Sequence, residues 1–141
     1  YTRDRFEPKA MIDLATLTGA IVVALGQEQA GLFTPDDGLA TKIGAAGAAV
    51  GERVWRMPLG AEYAKHIKSA IADVKNTGRA REAGATAGAV FLQRFVGDTP
   101  WAHIDIAGVT WSKEDKPLAP KGATGFGARL LERLIADSYE T

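Results

Sequence analysis

Apolar residues along this chain recur with periods that switch between those of strands and those of helices. The segment 9–16 is rich in Met, Ile, Leu and Ala, and its length is typical of a buried strand. It ends in Thr-Leu-Thr-Gly at 16–19, and a helix-like apolar run follows at 20–25. Ligands of α/β proteins bind at the carboxyl ends of such strands. The sequence 16–19 is therefore the first candidate binding site.

Further segments continue the alternation that is typical of α/β proteins. Short apolar segments predict extended pieces or strands at 31–34, 54–59 and 101–106. Helical spacing of apolar residues predicts helices at 39–50, 62–71, 85–95 and 124–136. Residues 1–6 resemble the last turns of a helix that stops before a proline, whereas 75–84 and 112–122 are polar and predict loops.

Two of these helices carry predictions about individual side chains. Tyr63, Ile67 and Ile71 lie on one apolar stripe, so they are expected to share a helix face. Phe91 and Phe95 are expected to face inward. His66, which lies among lysines, is expected to be solvated.

Composition limits the classes of partner. The 141 residues are 46% hydrophobic and 24% charged, enough to bury one core. The 17 basic and 17 acidic residues cancel, so no net charge attracts nucleic acid or an anionic membrane. The absence of cysteine excludes disulfides and thiolate metal ligands and fits a cytoplasmic location. The longest apolar run, 14–25, is too short to span a bilayer. No signal peptide pattern opens the chain. Because Tyr1 cannot be an initiator and residues 1–6 resemble the last turns of a helix, we expect the chain to begin inside a longer protein rather than after a removed tag.

His103 and Asp105 are two residues apart on a predicted strand, so their side chains point to the same face. Imidazole and carboxylate together suit zinc or iron. A metal site needs at least three protein ligands, however, and the neighbouring sequence offers no obvious third. A satisfied buried pair whose two side chains bond neighbouring loops is therefore the favoured interpretation.

Glycine-rich segments are weaker candidates for chemistry. The segment 121–127 precedes a helix but fits no phosphate-binding motif, so Thr124 is expected to cap that helix. Gly44, Gly47 and Gly51 are spaced three and four residues apart, which indicates close packing against another backbone. Neither feature requires a ligand.

Nucleophilic and anion-binding roles have little support. The serines at 69, 112 and 138 do not lie in a Gly-x-Ser-x-Gly elbow. The basic loop 75–82 could hold an anionic group, although such a charge run usually faces solvent.

Four motifs occur in the same order as in a known family. They are Ala-Thr-Leu-Thr-Gly-Ala at 15–20, Arg-Val-Trp-Arg-Met-Pro-Leu at 53–59, Trp-Ala-His-Ile-Asp-Ile-Ala-Gly at 101–108 and Lys-Gly-Ala-Thr-Gly at 121–125. With these motifs the chain resembles the C-terminal half of the catalytic domain of the leucine aminopeptidase (cytosol aminopeptidase) family. Any one motif is weakly specific, whereas four in order are highly specific.

The resemblance implies an α/β fold with a mixed sheet flanked by helices on both faces. Residues 1–141 would form the C-terminal part of a larger aminopeptidase catalytic domain. The implied activity is that of a metal-dependent exopeptidase, which releases N-terminal amino acids from peptides with a leucine-type preference. In that family two divalent ions, zinc or manganese, activate a bridging water, and bicarbonate serves as a base. A cytoplasmic homo-hexamer is the expected assembly.

The family's metal ligands lie in a lysine- and aspartate-bearing segment and in an Asn-Thr-Asp-Ala-Glu-Gly-Arg motif. Neither occurs in this sequence, and we expect the motif about one helix upstream of Tyr1. The family's catalytic lysine and arginine belong to the same missing part. The resemblance therefore assigns this chain no catalytic residue and no metal ligand, and we expect the chain to be inactive alone.

The resemblance assigns a substrate-binding wall to this chain. The matched positions are Thr16, Leu17, Gly19, Thr77, Ala107 and Thr110. The first three match a strand end whose backbone groups bond the substrate and line the pocket for its first side chain, close to the bicarbonate. Ala107 matches a second wall of that pocket, and Thr110 stands where the family often has methionine, which makes the pocket more polar. Thr77 matches the lining of the pocket for the second residue.

Two other classes of function stay open on the sequence alone. The chain could be a noncatalytic binding or assembly module that kept the fold without a metal site. It could also be a structural α/β domain in which Thr-Leu-Thr-Gly is only a buried turn. An Asp-Ala-Glu-Gly-Arg segment in the coding sequence upstream of Tyr1 would identify the enzyme.

Overall fold

A computed structural model describes residues 1–79, 81–115, 117 and 120–140. Helices and strands alternate along the first half of the chain. The helices are α1 (Thr2–Phe6), α2 (Gly19–Leu25), α3 (Asp37–Val50), α4 (Gly84–Gln93) and α5 (Ala128–Ser138), with a 3₁₀ helix at Ala61–Ile67. The strands are β1 (Met11–Ala15), β2 (Ala30–Phe33), β3 (Val54–Arg56), β4 (Trp101–Asp105), β5 (Trp111–Ser112) and β6 (Gly122–Ala123).

Four strands form one mixed sheet in the order β1-β4-β2-β3. β1 and β4 are parallel, with Met11 opposite Trp101 and Ala15 opposite Asp105. β2 runs antiparallel to β4 and parallel to β3. β5 and β6 form a separate antiparallel pair. Because β1 and β4 are parallel neighbours in this register, they end side by side at the same edge of the sheet.

Helices cover both faces of the sheet. One buried cluster joins the sheet to α3 and α5 and includes Leu32, Ile43, Ile104 and Leu130. The other joins it to α2 and α4 and includes Ile21, Phe33, Ala89 and Trp101. Successive residues of a strand point to opposite faces, which is why Leu32 and Phe33 belong to different clusters. The predicted α/β class, a mixed sheet flanked by helices on both faces, is confirmed.

The three spaced glycines of α3 have different roles. A Cβ on Gly47 would overlap the carbonyl oxygen of Glu52 and lie 3.1 Å from Leu130 Cδ1, so the predicted close packing is correct there. Gly51 ends the helix in the left-handed conformation, with φ of 73°. A Cβ on Gly44 would meet nothing within 4 Å, so close packing is the wrong explanation for that glycine.

The segment 62–71 does not form the predicted α-helix. The 3₁₀ helix ends at Ile67, and Ile71 is 98% exposed. His66, expected to be solvated, is buried and stacks on Tyr63 with ring centroids 6.0 Å apart. The three-residue period of a 3₁₀ helix explains this contact, because it places residues three apart above one another.

Two further side-chain expectations are wrong. Phe95 lies beyond the end of α4 and is 58% exposed, where it packs edge-on against Phe91 at 5.2 Å between centroids. α5 begins at Ala128, and Gly127 rather than Thr124 is its N-cap. The Thr124 hydroxyl instead donates a hydrogen bond to Val109 O over 2.7 Å.

Within the described ranges, every helix is too short or too polar to cross a bilayer. The predicted loops 75–84 and 112–122 include residues 80, 116, 118 and 119, which lie outside the described residues.

Candidate functional site

The carboxyl ends of β1 and β4 meet at one edge of the sheet. Ala15 lies opposite Asp105, and Ile106 N donates a hydrogen bond to Ala15 O over 2.9 Å. Beyond this bond the segment after β1 leads into α2, and the segment after β4 enters a turn. Adjacent strand ends of this kind form the crevice in which α/β proteins bind ligands. The candidate site at 16–19 therefore lies beside the segment that follows β4.

The carboxylate of Asp105 joins these two segments, which follow β1 and β4. It is fully buried, and its Oδ1 accepts hydrogen bonds from Leu17 N over 3.1 Å and from Ala107 N over 3.2 Å. Thr18 N donates to the same oxygen over 3.5 Å, and the Thr18 hydroxyl donates to Oδ2 over 2.7 Å. A buried carboxylate is costly unless donors replace its lost hydration. Here the donors come from both strand ends, so the carboxylate also holds the two ends together.

Thr18 extends this connection into α2. Its Oγ1 accepts a hydrogen bond from Ile21 N over 3.1 Å, which caps the first turn of the helix. Thr16 and Gly19 on either side are exposed, and Leu17 is 39% exposed. The backbone at 16–19 is therefore fixed from the inside by Asp105 while it remains accessible from the outside.

Ala107 and Thr110 lie in the chain that follows β4, and both are half-buried. Val109 N donates to Ile106 O over 3.1 Å, which closes a turn. Thr110 O accepts a hydrogen bond from Thr124 N over 3.0 Å, which ties this chain to the segment before α5. The structure thus brings Ala107 together with Leu17 through Asp105, and it anchors Thr110 at the far side of the turn.

Thr77 lies in an exposed loop between the 3₁₀ helix and α4. The next residue, Gly78, packs so closely that a Cβ on it would lie 2.7 Å from the Cβ of Ala87 in α4. Leu17 packs against the following residue of α4, because a Cβ on Gly88 would lie 3.0 Å from Leu17 Cδ2. The loop that carries Thr77 and the strand end at 16–19 therefore share α4 as a neighbour.

The basic loop that carries Thr77 faces solvent. Lys75 and Arg79 are exposed, and Arg79 Nη1 lies 3.7 Å from Glu82 Oε2. This pairing favours the interpretation of the loop as a solvated charge run over that of an anion site.

Asp13 is the polar residue near the site that sequence reasoning missed. It lies opposite His103, with Oδ1 2.6 Å from His103 Nδ1, and its Oδ2 accepts a hydrogen bond from Trp101 Nε1 over 2.8 Å. His103 also stacks on Trp101 and Phe33, with centroids 6.4 and 5.8 Å apart. A charged residue inside an otherwise apolar strand was the available signal, because such a residue needs a polar partner on a neighbouring element.

The interpretation of His103 and Asp105 as a satisfied buried pair is confirmed for Asp105 and is wrong in part for His103, which is buried but whose Nε2 has no hydrogen-bond partner among the described residues. Asp105 bonds neighbouring loops as expected, whereas His103 bonds the neighbouring strand through Asp13. Among the described residues, no group of three or more His, Cys, Asp or Glu side chains could hold a metal ion. The donor set described here therefore does not fit a pair of divalent ions, and no residue is assigned as a metal ligand.

Comparisons with known proteins agree with one another. The family model described as "Cytosol aminopeptidase family, catalytic domain" matches residues 1–132. The chain is 56% identical over 141 residues to a probable cytosol aminopeptidase of Caulobacter vibrioides and 59% identical over 135 residues to one of Gluconobacter oxydans. These matches cover 99% and 96% of this chain, but 28% and 27% of the relatives.

A solved structure gives the same result. The fold is similar to that of a mutant tomato leucine aminopeptidase, with a TM-score of 0.87 and 44% sequence identity. This similarity covers 95% of the present chain and 26% of the tomato chain. The chain therefore spans about a quarter of the length of the proteins it matches.

Proposed function

This chain belongs to the cytosol aminopeptidase family, and from that membership we propose that it supplies the substrate-binding wall of an aminopeptidase. The reaction is the release of N-terminal amino acids from peptides, with a leucine-type preference. The match of the catalytic-domain model to residues 1–132 is the observation that carries this proposal. Residues 1–141 are the C-terminal part of that catalytic domain.

The residues of this chain bind and orient the peptide. Backbone groups of Thr16, Leu17 and Gly19 hold the peptide backbone, which fixes a substrate without requiring a particular side chain. Ala107 and Thr110 form a second wall of the pocket for the first side chain. Support comes from the exposure of Thr16, Leu17 and Gly19 and from the buried carboxylate that joins Leu17 to Ala107.

Two of the assigned positions affect specificity. Thr77 lines the pocket for the second residue of the peptide, and its exposed position in a loop beside α4 leaves it free to do so. Thr110 places a hydroxyl where an apolar side chain is common in the family, so the first pocket is somewhat more polar.

The chemistry of bond cleavage belongs to other parts of the protein. Two divalent ions, zinc or manganese, together with bicarbonate, are the proposed cofactors, and their ligands lie outside the residues described here. No residue of this chain has a catalytic role in the proposal. The active form is a homo-hexamer in the cytoplasm, and its substrates are peptides.

Hydrolysis of an aminoacyl anilide tests this proposal. Protein expressed from its complete coding sequence and supplied with Mn²⁺ is expected to release p-nitroaniline from leucine p-nitroanilide. The N-acetylated substrate is the control, and it should not react because an aminopeptidase needs a free amino group. A chelator is expected to abolish the release, and added Mn²⁺ or Zn²⁺ to restore it.

Residues 1–141 expressed alone are expected to show no hydrolysis stimulated by Mn²⁺. Turnover by this segment would contradict the assignment of the metal ligands to other residues. Inactivity of the complete protein in the presence of metal would instead favour a noncatalytic binding or assembly module.

A further inference from the structure

One carboxylate oxygen limits the separation of two chain segments. Asp105 Oδ1 accepts hydrogen bonds from Leu17 N over 3.1 Å and from Ala107 N over 3.2 Å. The two amide nitrogens can therefore be no further apart than the sum of these two bonds. No other group of Asp105 is needed for this constraint, because both bonds end on the same atom.

The constraint acts just beyond the end of the sheet. Backbone pairing of β1 with β4 ends with Ala15 opposite Asp105, followed by the bond from Ile106 N to Ala15 O. Those backbone bonds do not involve the Asp105 side chain, so they remain when the side chain is changed. When the Asp105 side chain is substituted, the segments that hold Leu17 and Ala107 lose their common hydrogen-bond acceptor, whereas β1 and β4 stay paired.

The second carboxylate oxygen stiffens one of these segments. Asp105 Oδ2 accepts the Thr18 hydroxyl over 2.7 Å, and Thr18 Oγ1 in turn accepts Ile21 N at the start of α2. A chain of hydrogen bonds thus runs from Asp105 through Thr18 into a helix. Linked bonds of this kind restrict motion more than isolated bonds do.

We propose that Asp105 is a positioning residue that sets the width, and hence the selectivity, of the pocket for the first side chain of the peptide. This inference rests on the proposed function, which places Leu17 and Ala107 on two walls of that pocket. Asp105 does not touch the substrate and acts through the two backbone segments that it holds. Loosening them removes contacts from a large first side chain more than from a small one.

The test compares two substrates in the protein expressed from its complete coding sequence and supplied with Mn²⁺. The ratio of kcat/KM for leucine p-nitroanilide to that for alanine p-nitroanilide does not depend on how much of the enzyme is folded. We expect this ratio to fall about threefold in Asp105→Asn, whose amide oxygen still accepts from Leu17 and Ala107 but whose amide nitrogen cannot accept the Thr18 hydroxyl. In Asp105→Ala, which removes every acceptor, we expect a fall of about tenfold.

Glu52→Gln is the matched control. Glu52 is also a buried carboxylate that accepts hydrogen bonds from backbone amides, but its donors are Gly127 and Leu130 at the start of α5. Its substitution is expected to lower stability while the ratio stays within about twofold of the unsubstituted value. If the ratio shifts as much in Glu52→Gln as in Asp105→Asn, the effect is one of general loosening, and the proposal is wrong.

The remaining outcomes separate this inference from the function on which it rests. Hydrolysis with an unchanged ratio in the Asp105 variants would overturn the positioning role alone. If neither substrate is hydrolysed by the unsubstituted protein, the proposed function fails and the role of Asp105 fails with it. Should the Asp105 variants not fold, Thr18→Val removes the hydroxyl that Oδ2 accepts and with it the link from Asp105 into α2. We expect the ratio to fall about threefold in this variant, and an unchanged ratio would overturn the positioning role.

Discussion

At the scale of single residues, Glu52 shows how one buried charge can start a helix. Its carboxylate is 3% exposed, and Oε2 accepts hydrogen bonds from Gly127 N over 3.0 Å and from Leu130 N over 2.9 Å. The first amides of a helix lack partners within the helix, and its amino end favours negative charge. Arg129 Nε, at 3.2 Å from Oε1, adds a partly exposed ion pair. Glu52 thus performs the capping that Thr124 was expected to perform.

Substitution of Glu52 tests this role through the free energy of unfolding. Glu52→Ala is expected to lower it by about 3 kcal/mol, because two buried amides lose their acceptor. Glu52→Gln should cost about 1 kcal/mol, since an amide oxygen can still accept both bonds. Urea unfolding measures both values. Glu132→Gln, at an exposed position of the same helix, is the control and should change stability by less than about 0.5 kcal/mol.

At the scale of elements, α3 is shaped by how closely its two neighbours approach. Gly47 faces the backbone of Glu52 and the side chain of Leu130, whereas Gly44 faces open space. Both glycines lie in the interior of the same helix, where glycine is less favourable than alanine by about 0.8–1.0 kcal/mol. They therefore form a matched pair for testing close packing.

Opposite effects on stability are expected from the same substitution at these two positions. Gly47→Ala should lower the free energy of unfolding by about 1–3 kcal/mol, because the backbone of Glu52 would have to move. Gly44→Ala should raise it by about 0.5–1 kcal/mol through helix propensity alone. Thermal unfolding of the two variants measures both changes, and an equal change at both sites would contradict the packing argument.

Elements that depend on local periodicity could be predicted from the sequence, and elements that depend on distant contacts could not. α2, α3 and β4 follow from their own apolar patterns. The start of α5 depends on Glu52, which is 75 residues from Gly127, and nothing near Thr124 indicates that partner. The prediction of an α-helix over the segment that forms the 3₁₀ helix at 61–67 was wrong for another reason. The three-residue period of a 3₁₀ helix and the 3.6-residue period of an α-helix are hard to distinguish over so short a stretch.

The candidate site was predictable to a similar degree. The strand ends and the buried state of Asp105 follow from an apolar run, a turn and an alternating strand. The partnership of Asp13 with His103 depends on the register between β1 and β4, which no local pattern fixes. The assignments of Thr16, Leu17, Gly19, Thr77, Ala107 and Thr110 came from the family resemblance, and they stay predictions.

At the scale of the whole molecule, one sheet separates two cores. Ile43 belongs to the cluster under α3 and α5, and Ile21 to the cluster under α2 and α4. Both side chains are almost fully buried. The sheet lies between the two clusters, so a small cavity on one face should not change the packing on the other.

A double-mutant cycle checks this independence. Ile21→Val and Ile43→Val should each lower the free energy of unfolding by about 1 kcal/mol, because each removes one buried methyl group. The double variant is expected to show the sum within about 0.5 kcal/mol in urea unfolding. A coupling energy above about 1 kcal/mol would mean that the two cores repack together.

The pairing of β1 with β4 also has a consequence for synthesis on the ribosome. Asp13 and His103 are 90 positions apart, so at about 5–20 residues per second β1 waits roughly 5–18 s for its neighbour. Until then the edge that will face β4 is open, and an open apolar strand attracts other chains. A charge within such a strand opposes that association. We therefore expect Asp13 to oppose aggregation of the nascent chain before β4 is made, and to become the partner of His103 and Trp101 afterwards.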